Sequence, residues 1–390
     1  MNIKFELSKI YTLTIINLIR LFSKPEKAVL YSSYSGCGYG DSLKYVDLEL
    51  RRRKLKIKKY WVINEKLTPE MISEFPSDII LVKFNSYEHY KALATAKIWL
   101  TNSRNKIYCQ KGKDQYYINT FHSLYPWKKV EFDVLRPENT RQYDRCIRDN
   151  ENLDLILSSC KFKTSLLKET YKYEKDVLKA VLPRCDKLIA SGSDTDEIQK
   201  IKERLGISTE TKVLLYAPTF RNSHSVNVYD IDYELLLNAL KQKFNCKWVV
   251  IVRLHPSMID QKNKINYNET IIDGSSVSDA QELLLISNIL ITDYSSIMFD
   301  FMLTKRPVIL YIKDIYDYQK ERNFYFELES LPFFSAKSNQ ELADYISAYD
   351  EGAYKEKCEA YFINIGIYKR DAPTSKIIAD IIEQKTANMP

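Results

Sequence analysis

The sequence lacks several features that would assign it to a class at once. It has only nine glycines in 390 residues and no low-complexity stretch. It has no run of about 18 apolar residues, the length needed to span a bilayer. Its first residues do not combine an apolar core with a small-residue cleavage site. We therefore expect a folded protein without a membrane-spanning helix or a secretory signal peptide.

Paired cysteines are also missing. The seven cysteines are widely spaced, odd in number and form no C-x-x-C pair. This usage indicates reduced thiols in a cytosolic protein rather than a disulfide framework or a zinc site. The seven are Cys37, Cys109, Cys146, Cys160, Cys185, Cys246 and Cys358.

The motifs of several common enzyme classes are absent as well. There is no GxxxxGK[ST] loop, no HExxH and no GxSxG, and glycines 36, 38 and 40 do not have the GxGxxG spacing of dinucleotide-binding loops. No DxD-like pair of acidic residues indicates a metal site. We predict a protein that uses neither a cofactor nor a bound metal.

The composition that remains is that of a folded protein with two domains. Apolar residues make up 45% and charged residues 28%, with a net charge of +7. The length exceeds what one ordinary core supports. A moderate positive charge suits a phosphate-rich ligand or an anionic membrane face. No long lysine and arginine tract supports nucleic-acid binding, so we expect no nucleic-acid partner.

Short β-branched runs alternate with helical segments along the chain, which predicts parallel α/β layers in two halves. Strands are predicted in the first half at 27–34, 57–64, 96–103, 115–123, 153–159 and 187–191, and in the second at 212–221, 246–256, 269–274, 288–293 and 306–312. We predict four regions: an amphipathic helix at 1–26, an N-terminal acceptor-side domain at 27–190, a C-terminal donor-binding domain at 191–373, and a helix at 374–390 that crosses back.

The first 24 residues form an amphipathic pattern. One helical stripe contains Leu7, Tyr11, Ile15, Leu18 and Phe22, with further apolar residues beside it. A basic helix of this kind lies in a membrane interface or packs on the body of its own protein. The pattern alone leaves both alternatives open.

Four histidines are available for acid–base chemistry. His122 and His255 each follow a strand directly, in opposite halves, as in "YINTFH" and "VVIVRLH". A neutral imidazole accepts a proton at neutral pH, and a protonated one stabilises phosphate charge. His89 reads as an ordinary surface residue of a helix, and His224 as part of a polar loop.

The stretch "LITDYSSIMFDF" (residues 290–301) places Ser295 and Ser296 where a strand passes into a helix. Serine is a common N-cap, but hydroxyls and free amides at a helix start also form an anion site. Asp293 is expected to orient its neighbours, because a carboxylate is a poor phosphate contact.

Two arginines close strands of the second half. Arg221 and Arg253 carry guanidinium groups that match phosphate oxygens, although a salt bridge is the alternative. Pro218 fits the exit of a strand and shapes the loop that follows it.

Taken together and in this order, seven stretches resemble the CDP-glycerol glycerophosphotransferase family of teichoic acid primases and polymerases. The similarity runs from about residue 28 to about residue 346. The stretches are "YSGCGYGDSLKYVDLEL", "GKDQYYINTFHSLYPWKKV", "LPRCDKL", "LLYAPTFR", "RLHP", "ITDYSSIMFDFMLTKRPVILYIKD" and "YQKERNFYFELE".

The resemblance implies a GT-B-like fold, in which two Rossmann-like domains face a central cleft. It implies transfer of glycerol phosphate from CDP-glycerol to a hydroxyl of a lipid-linked acceptor, with release of CMP. His122 maps to the general base and His255 to the histidine near the pyrophosphate. Substrate contacts are implied at Arg253, Arg221, Asp293, Ser295, Ser296, Lys128, Pro218, Thr219 and Arg322.

A lipid-linked acceptor favours the membrane interpretation of residues 1–24, so we predict a peripheral protein on the cytoplasmic face. The loop after His122 departs from the family, since Ser123 and Leu124 replace the usual Gly-Thr, and Cys185 replaces the usual Asn of "LPRCD". The acceptor, the primase or polymerase behaviour and the oligomeric state stay open.

Two classes of alternative function remain at this point. A donor of another kind, CDP-ribitol, a capsule-polymer precursor or a sugar nucleotide, would keep the fold and change the product. A GT-B-like binding or scaffold protein would have lost turnover, although the presence of both His122 and His255 argues against it.

Overall fold

The computed structural model describes residues 3–135, 140–190, 195–219, 230–254, 258, 264–321, 323–368, 371–387 and 389. The chain divides into two compact units. The first contains Met1–Leu124, Val130–Asp186 and Ile367–Pro390, and the second contains Tyr125–Lys129 and Lys187–Gly366.

Each unit is built on one parallel sheet. The strands are β1 (Glu26–Ser32), β2 (Lys58–Ile63), β3 (Ile79–Lys83), β4 (Ala96–Thr101), β5 (Tyr116–Asn119), β6 (Leu155–Ser158), β7 (Asp176–Lys179), β8 (Lys212–Ala217), β9 (Trp248–Val252), β10 (Ile271–Asp273), β11 (Ile289–Thr292), β12 (Val308–Tyr311) and β13 (Phe334–Ala336). The first sheet has the order β3-β2-β1-β4-β5-β6-β7, and the second β10-β9-β8-β11-β12-β13.

The helices follow the strands in the alternation that the sequence predicts. They are α1 (Ile3–Phe22), α2 (Asp41–Arg52), α3 (Pro69–Ser73), α4 (Tyr87–Thr95), α5 (Thr140–Asn152), α6 (Lys161–Glu169), α7 (Asp186–Ile189), α8 (Thr195–Arg204), α9 (Tyr233–Phe244), α10 (Ala280–Ile286), α11 (Ile297–Met302), α12 (Ile315–Glu321), α13 (Asn339–Ala348), α14 (Glu351–Ile365) and α15 (Thr374–Thr386).

The first sheet is buried on both faces, because successive residues of β1 contribute to two different cores. Leu30 packs in the core that α1 and α4 cover, whereas Val29 packs in the core that α2 and α15 cover. Burial on both faces explains why the strands read as continuous apolar runs. In the second unit α9 and α13 cover one face of the sheet.

Most of the predicted strands are confirmed, with one clear error. Residues 187–191 were predicted as a strand, but α7 occupies Asp186–Ile189. A short apolar run does not distinguish a strand from a buried helical turn. Three short strands, β3, β7 and β13, are missing from the prediction because they lie at or next to the edges of the sheets.

Helix α1 has two apolar faces. Thr12, Ile16 and Ile19 are buried against the body of the first unit. The opposite face carries six large apolar side chains, which are exposed: Leu7, Ile10, Tyr11, Leu18, Leu21 and Phe22. The predicted stripe therefore faces away from the protein, except for the half-buried Ile15. No described helix is long and apolar enough to cross a bilayer.

Candidate functional site

The candidate site of the first unit lies at the carboxyl ends of its parallel strands, where ligands bind in open α/β sheets. Three loops meet there: the loop after β1, the end of β4 at Asn102, and the loop after β5 at His122. The buried side-chain oxygen of Asn102 accepts the Tyr34 N–H at 2.8 Å, which joins the first two of these loops.

The orientation of His122 is set by a backbone group. Its Nδ1 lies 3.1 Å from the carbonyl oxygen of Asn102. A carbonyl only accepts hydrogen bonds, so Nδ1 carries the proton and donates. Nε2 of the neutral ring then holds the lone pair, as a general base requires.

A buried ion pair lies beside His122. Nη1 of Arg184 is 2.6 Å from a carboxylate oxygen of Asp41, and both side chains are less than 10% exposed. Nη2 of Arg184 donates to the carbonyl of His122 at 2.7 Å. The Tyr34 hydroxyl donates to Asp41 at 2.8 Å, and its ring centroid lies 5.3 Å from the imidazole.

These neighbours shift two pKa values. Burial alone would raise the pKa of Asp41, but Arg184, the Ser42 N–H and the Tyr34 hydroxyl outweigh it and lower the pKa. Desolvation lowers the pKa of His122, against the opposing effects of the Asn102 carbonyl and Asp41. His122 as a whole residue is exposed to solvent. Both shifts favour a neutral imidazole beside an ionised carboxylate.

The loop between β1 and α2 has an unusual backbone. Tyr34, Ser35 and Asp41 have positive φ although they are not glycines. Gly36 has φ of +100°, and a Cβ there would lie 2.8 Å from the backbone nitrogen of Asn64. Positive φ in non-glycine residues costs free energy and is found at functional sites. The loop thus aims Tyr34 and Asp41 toward His122.

The predicted acid of the second unit has a structural role. Both carboxylate oxygens of Asp293 accept the backbone N–H of Thr219, at 2.9 and 3.0 Å, and one accepts the N–H of Tyr294 at 2.6 Å. Asp293 is buried. It therefore holds the loop that leaves β8, in agreement with the orienting role expected from the sequence.

The two serines do not cap α11 as the sequence suggests. Ser296 occupies the N-cap position, but its side chain makes no capping hydrogen bond. The Ser295 hydroxyl accepts the Ile297 N–H at a long 3.4 Å. Capping explains neither hydroxyl well, since a good cap accepts a near-ideal bond from an early helical N–H. Both side chains are half-buried.

Arg253 is engaged with backbone carbonyls. Its Nη1 donates to the carbonyls of Gly274, at 3.2 Å, and Val277, and its Nη2 lies 3.4 Å from the carbonyl of Ser278. Desolvation lowers its pKa, partly offset by Asp279 and Glu282. These contacts fix the loop after β10. A donor-phosphate contact of Arg253 remains a prediction.

Lys128 lies in the second unit, although the sequence placed it in the first domain. Residues 125–129 pair with residues 323–326, and Trp127 stacks on Phe324 at 4.2 Å. Lys128 Nζ donates to the Tyr318 hydroxyl at 2.6 Å, and Tyr318 stacks on Tyr294, the neighbour of Asp293.

The remaining predicted residues divide into two groups. Pro218 is buried and Thr219 is half-buried, directly after β8. His255, Arg221 and Arg322, with His224, lie outside the described residues. His89 was predicted at the surface, but it is buried, and its Nδ1 accepts the Asn85 N–H at 3.1 Å.

Sequence reasoning missed several groups around His122. Asp41 and Arg184 lie in motifs of the family resemblance, but the sequence predicts no role for either residue. It also predicts no role for Asn102 and Lys163. An arginine after a proline in "LPRCD" and an aspartate after a glycine in "GYGD" were the available signals. Neither reveals that the two side chains meet, because 143 positions separate them.

Comparisons with known proteins identify the family of the chain. The model of the family described as CDP-Glycerol:Poly(glycerophosphate) glycerophosphotransferase matches residues 13–383. The teichoic acid poly(glycerol phosphate) polymerase of Bacillus spizizenii is 32% identical over 83% of this chain and 83% of its own length. The teichoic acid glycerol-phosphate transferase of Staphylococcus aureus is 30% identical over 90% and 92%.

Solved structures agree with the sequence comparisons. The wall teichoic acid polymerase TagF, in a variant soaked with CDPG, matches with a TM-score of 0.82 and 26% identity, over 97% of this chain and 94% of that one. The match confirms the predicted GT-B-like class of two Rossmann-like halves. The chain spans about half, 48%, of two longer teichoic acid poly(glycerol phosphate) polymerases that it also matches.

Proposed function

The chain belongs to the CDP-glycerol:poly(glycerophosphate) glycerophosphotransferase family, and on that premise we propose that it transfers glycerol phosphate from CDP-glycerol to a membrane-bound hydroxyl acceptor in teichoic acid synthesis. The observation that carries the proposal is the geometry of His122. Its Nδ1 is fixed on the Asn102 carbonyl, which leaves Nε2 as the proton acceptor.

In this reaction Nε2 of His122 takes the proton of the acceptor hydroxyl. The hydroxyl oxygen forms a bond to the β-phosphorus of the donor, and the bond from that phosphorus to the bridging oxygen breaks. CMP leaves with the electron pair, and glycerol phosphate becomes joined to the acceptor. Asp41 supports the imidazolium that forms, because its negative charge favours the protonated ring.

The second unit supplies the donor contacts in this proposal. Charge develops on the phosphate oxygens during transfer, and fixed donors aimed at them lower the barrier. The hydroxyls of Ser295 and Ser296 are half-buried and contribute little to helix capping, so they suit this role. His255, Arg221, Arg253 and Arg322 are proposed for the same task, with Lys128, Pro218 and Thr219 shaping the loops around it.

The test is release of CMP by the purified protein. CDP-glycerol and, separately, CDP-ribitol are incubated with a lipid-linked disaccharide, and the His122→Ala variant is assayed beside the wild type. We expect release with CDP-glycerol and a loss of about 10²–10⁴-fold in kcat for His122→Ala, with the KM for the donor little changed.

Each other result contradicts a part of the proposal. Release of CMP with CDP-ribitol but not with CDP-glycerol would identify CDP-ribitol as the donor. Binding of CDP-glycerol without release, in the presence of the acceptor, would favour a different acceptor or a scaffold. If the His122→Ala variant releases CMP as fast as the wild type, the general base is a different residue.

The membrane-bound acceptor suggests a role for α1. We propose that its exposed apolar face, from Leu7 to Phe22, lies in the interface of the membrane that carries the acceptor, on the cytoplasmic side. Side chains such as Leu21, 76% exposed, and Phe22, 87% exposed, have no packing partner among the described residues that would bury them. A surface of this kind lowers its free energy by entering the headgroup region.

Co-sedimentation with vesicles that contain an anionic lipid tests this assignment. Leu21→Glu is expected to reduce the bound fraction several-fold, because it places a charge in the apolar interface. Ile363→Glu is the matched control, since Ile363 is 79% exposed on α14 of the other unit. If both variants and the wild type bind the vesicles equally, α1 does not contact the membrane.

A further inference from the structure

Three consecutive carbonyls after β5 are held by side chains rather than by secondary structure. Arg184 donates to the carbonyl of His122 at 2.7 Å, and Lys163 Nζ to that of Ser123 at 2.9 Å. The Ser159 hydroxyl donates to the carbonyl of Leu124. Residues 122–124 lie in no strand or helix. The main chain of the candidate base is therefore positioned by the end of β6, α6 and the segment at 184.

Lys163 is the least expected member of this set. Its side chain is completely buried, which is rare for lysine. It also lies in the first turn of α6, where the helix dipole disfavours a positive charge. Both features oppose folding. A cation retained at such a position indicates a functional role, because strain and unfavourable charge collect at functional sites.

The charged groups that face His122 come from different elements. Asp41, at the start of α2, favours the protonated imidazole, and Arg184 and Lys163 disfavour it. Tyr34 presents its ring to the imidazole and its hydroxyl to Asp41. The positive charge of Lys163 thus favours the neutral form of His122.

We propose that Lys163 is a positioning residue of the transfer reaction: its ammonium group fixes the main chain that follows His122, and its charge adds to the other groups that disfavour protonation of the imidazole. The inference rests on the proposed role of His122 as the base. Burial lowers the pKa of Lys163 to about 8, so the ammonium is still charged at neutral pH.

Two substitutions separate the hydrogen bond from the charge. Lys163→Met removes both, and Lys163→Gln keeps an N–H donor without the charge. The measurement is the pH dependence of kcat/KM for CMP release, with kcat and the donor KM at the plateau and the melting temperature of each variant.

For Lys163→Met we expect kcat to fall by up to about a hundredfold, since small displacements of a catalytic group have effects of this size. The donor KM should stay within about twofold, because the donor is bound by other residues. Lys163→Gln should recover much of kcat. In both variants the acidic apparent pKa should rise, but only by part of the full shift, because the desolvation of His122 remains.

Lys202→Met is the matched control. Lys202 is also a buried lysine, and its Nζ donates to two backbone carbonyls, those of Thr209 and Thr211, at 2.8 Å. It lies on α8, in the other unit and outside the site. Its replacement should leave the pH profile and kcat unchanged, whatever it does to the melting temperature.

The outcomes are distinguishable from failure of the proposed function. No CMP release by the wild type would contradict that function itself. An active wild type with unchanged pH profiles and unchanged kcat in both Lys163 variants would overturn the inference. A fall in melting temperature with an unaltered profile would leave Lys163 a structural residue, which also overturns it. If the Met variant does not fold, the shift of the apparent pKa in Lys163→Gln decides alone.

Discussion

The main chain next to His122 in the first unit and the main chain next to Ser295 in the second unit are held by groups of opposite charge. In the first unit, the cations Arg184 and Lys163 hold main-chain carbonyls around His122. In the second, the anion Asp293 holds main-chain N–H groups after β8 and β11. The first arrangement places positive charge next to His122, the proposed base, and so favours its neutral form. The second uses a carboxylate to orient backbone amides next to Ser295 and Ser296, which are proposed phosphate contacts.

The largest effect is expected from breaking the ion pair of the first edge. Arg184→Met leaves the Asp41 carboxylate buried without its cation, and loss of one partner of a buried pair costs about 3–5 kcal/mol. Urea-induced unfolding measures the change. Arg52→Met is the control, because Arg52 pairs with Glu49 at the surface and its loss should have little effect. Similar midpoints for the two variants would show that the buried pair does not organise this edge.

A smaller effect is expected at the second edge. In the Asp293→Asn variant one carboxylate oxygen becomes an amide nitrogen, which cannot accept a hydrogen bond from the backbone N–H groups. The loop after β8 therefore loses hydrogen bonds worth about 1–3 kcal/mol. The melting temperature should fall and the donor KM should rise, while kcat at saturation changes little. A fall in kcat with an unchanged KM would instead place Asp293 in the chemical step.

The smallest effect on stability is expected at Ser296. Ser296→Ala removes no capping bond, so the melting temperature should stay constant while the donor KM rises. Ser338→Ala is the control, because the Ser338 hydroxyl accepts the Glu341 N–H at 3.2 Å and its loss costs about 1 kcal/mol. If Ser296→Ala melts earlier and binds the donor normally, the hydroxyl serves the helix and not the phosphate.

The sequence predicted the architecture well, because the apolar runs are long and alternate with helices. The strand that precedes His122 and the strand that precedes Arg253 were both recognised. The same reasoning failed at residues 187–191, because the short helix α7 (Asp186–Ile189) overlaps the predicted strand. A short apolar run such as Leu188 and Ile189 fits a helical turn as well as a strand, and Ile189 is exposed in the structure.

Contacts between side chains that are distant in the chain could not be predicted from the sequence. The meeting of Asp41 with Arg184 depends on how β1 and the segment at 184 are brought to one edge of the sheet. Lys163 reads as a surface residue of a basic helix, and only its depth in the structure distinguishes it. Capping and anion binding could not be separated for Ser296 from the sequence, because a serine at a helix start fits the capping pattern whether or not its hydroxyl makes the bond.

The return of α15 to the first unit affects the order of folding during synthesis. Ile378, Ala379 and Ile382 complete the core that Val29 and Leu43 begin. The ribosome makes the whole of the second unit between these two groups of residues. Domains usually fold as they emerge, the N-terminal one first. Here the second unit has all of its strands before the first unit has all of its core, so the unit that carries His122 is the last to close.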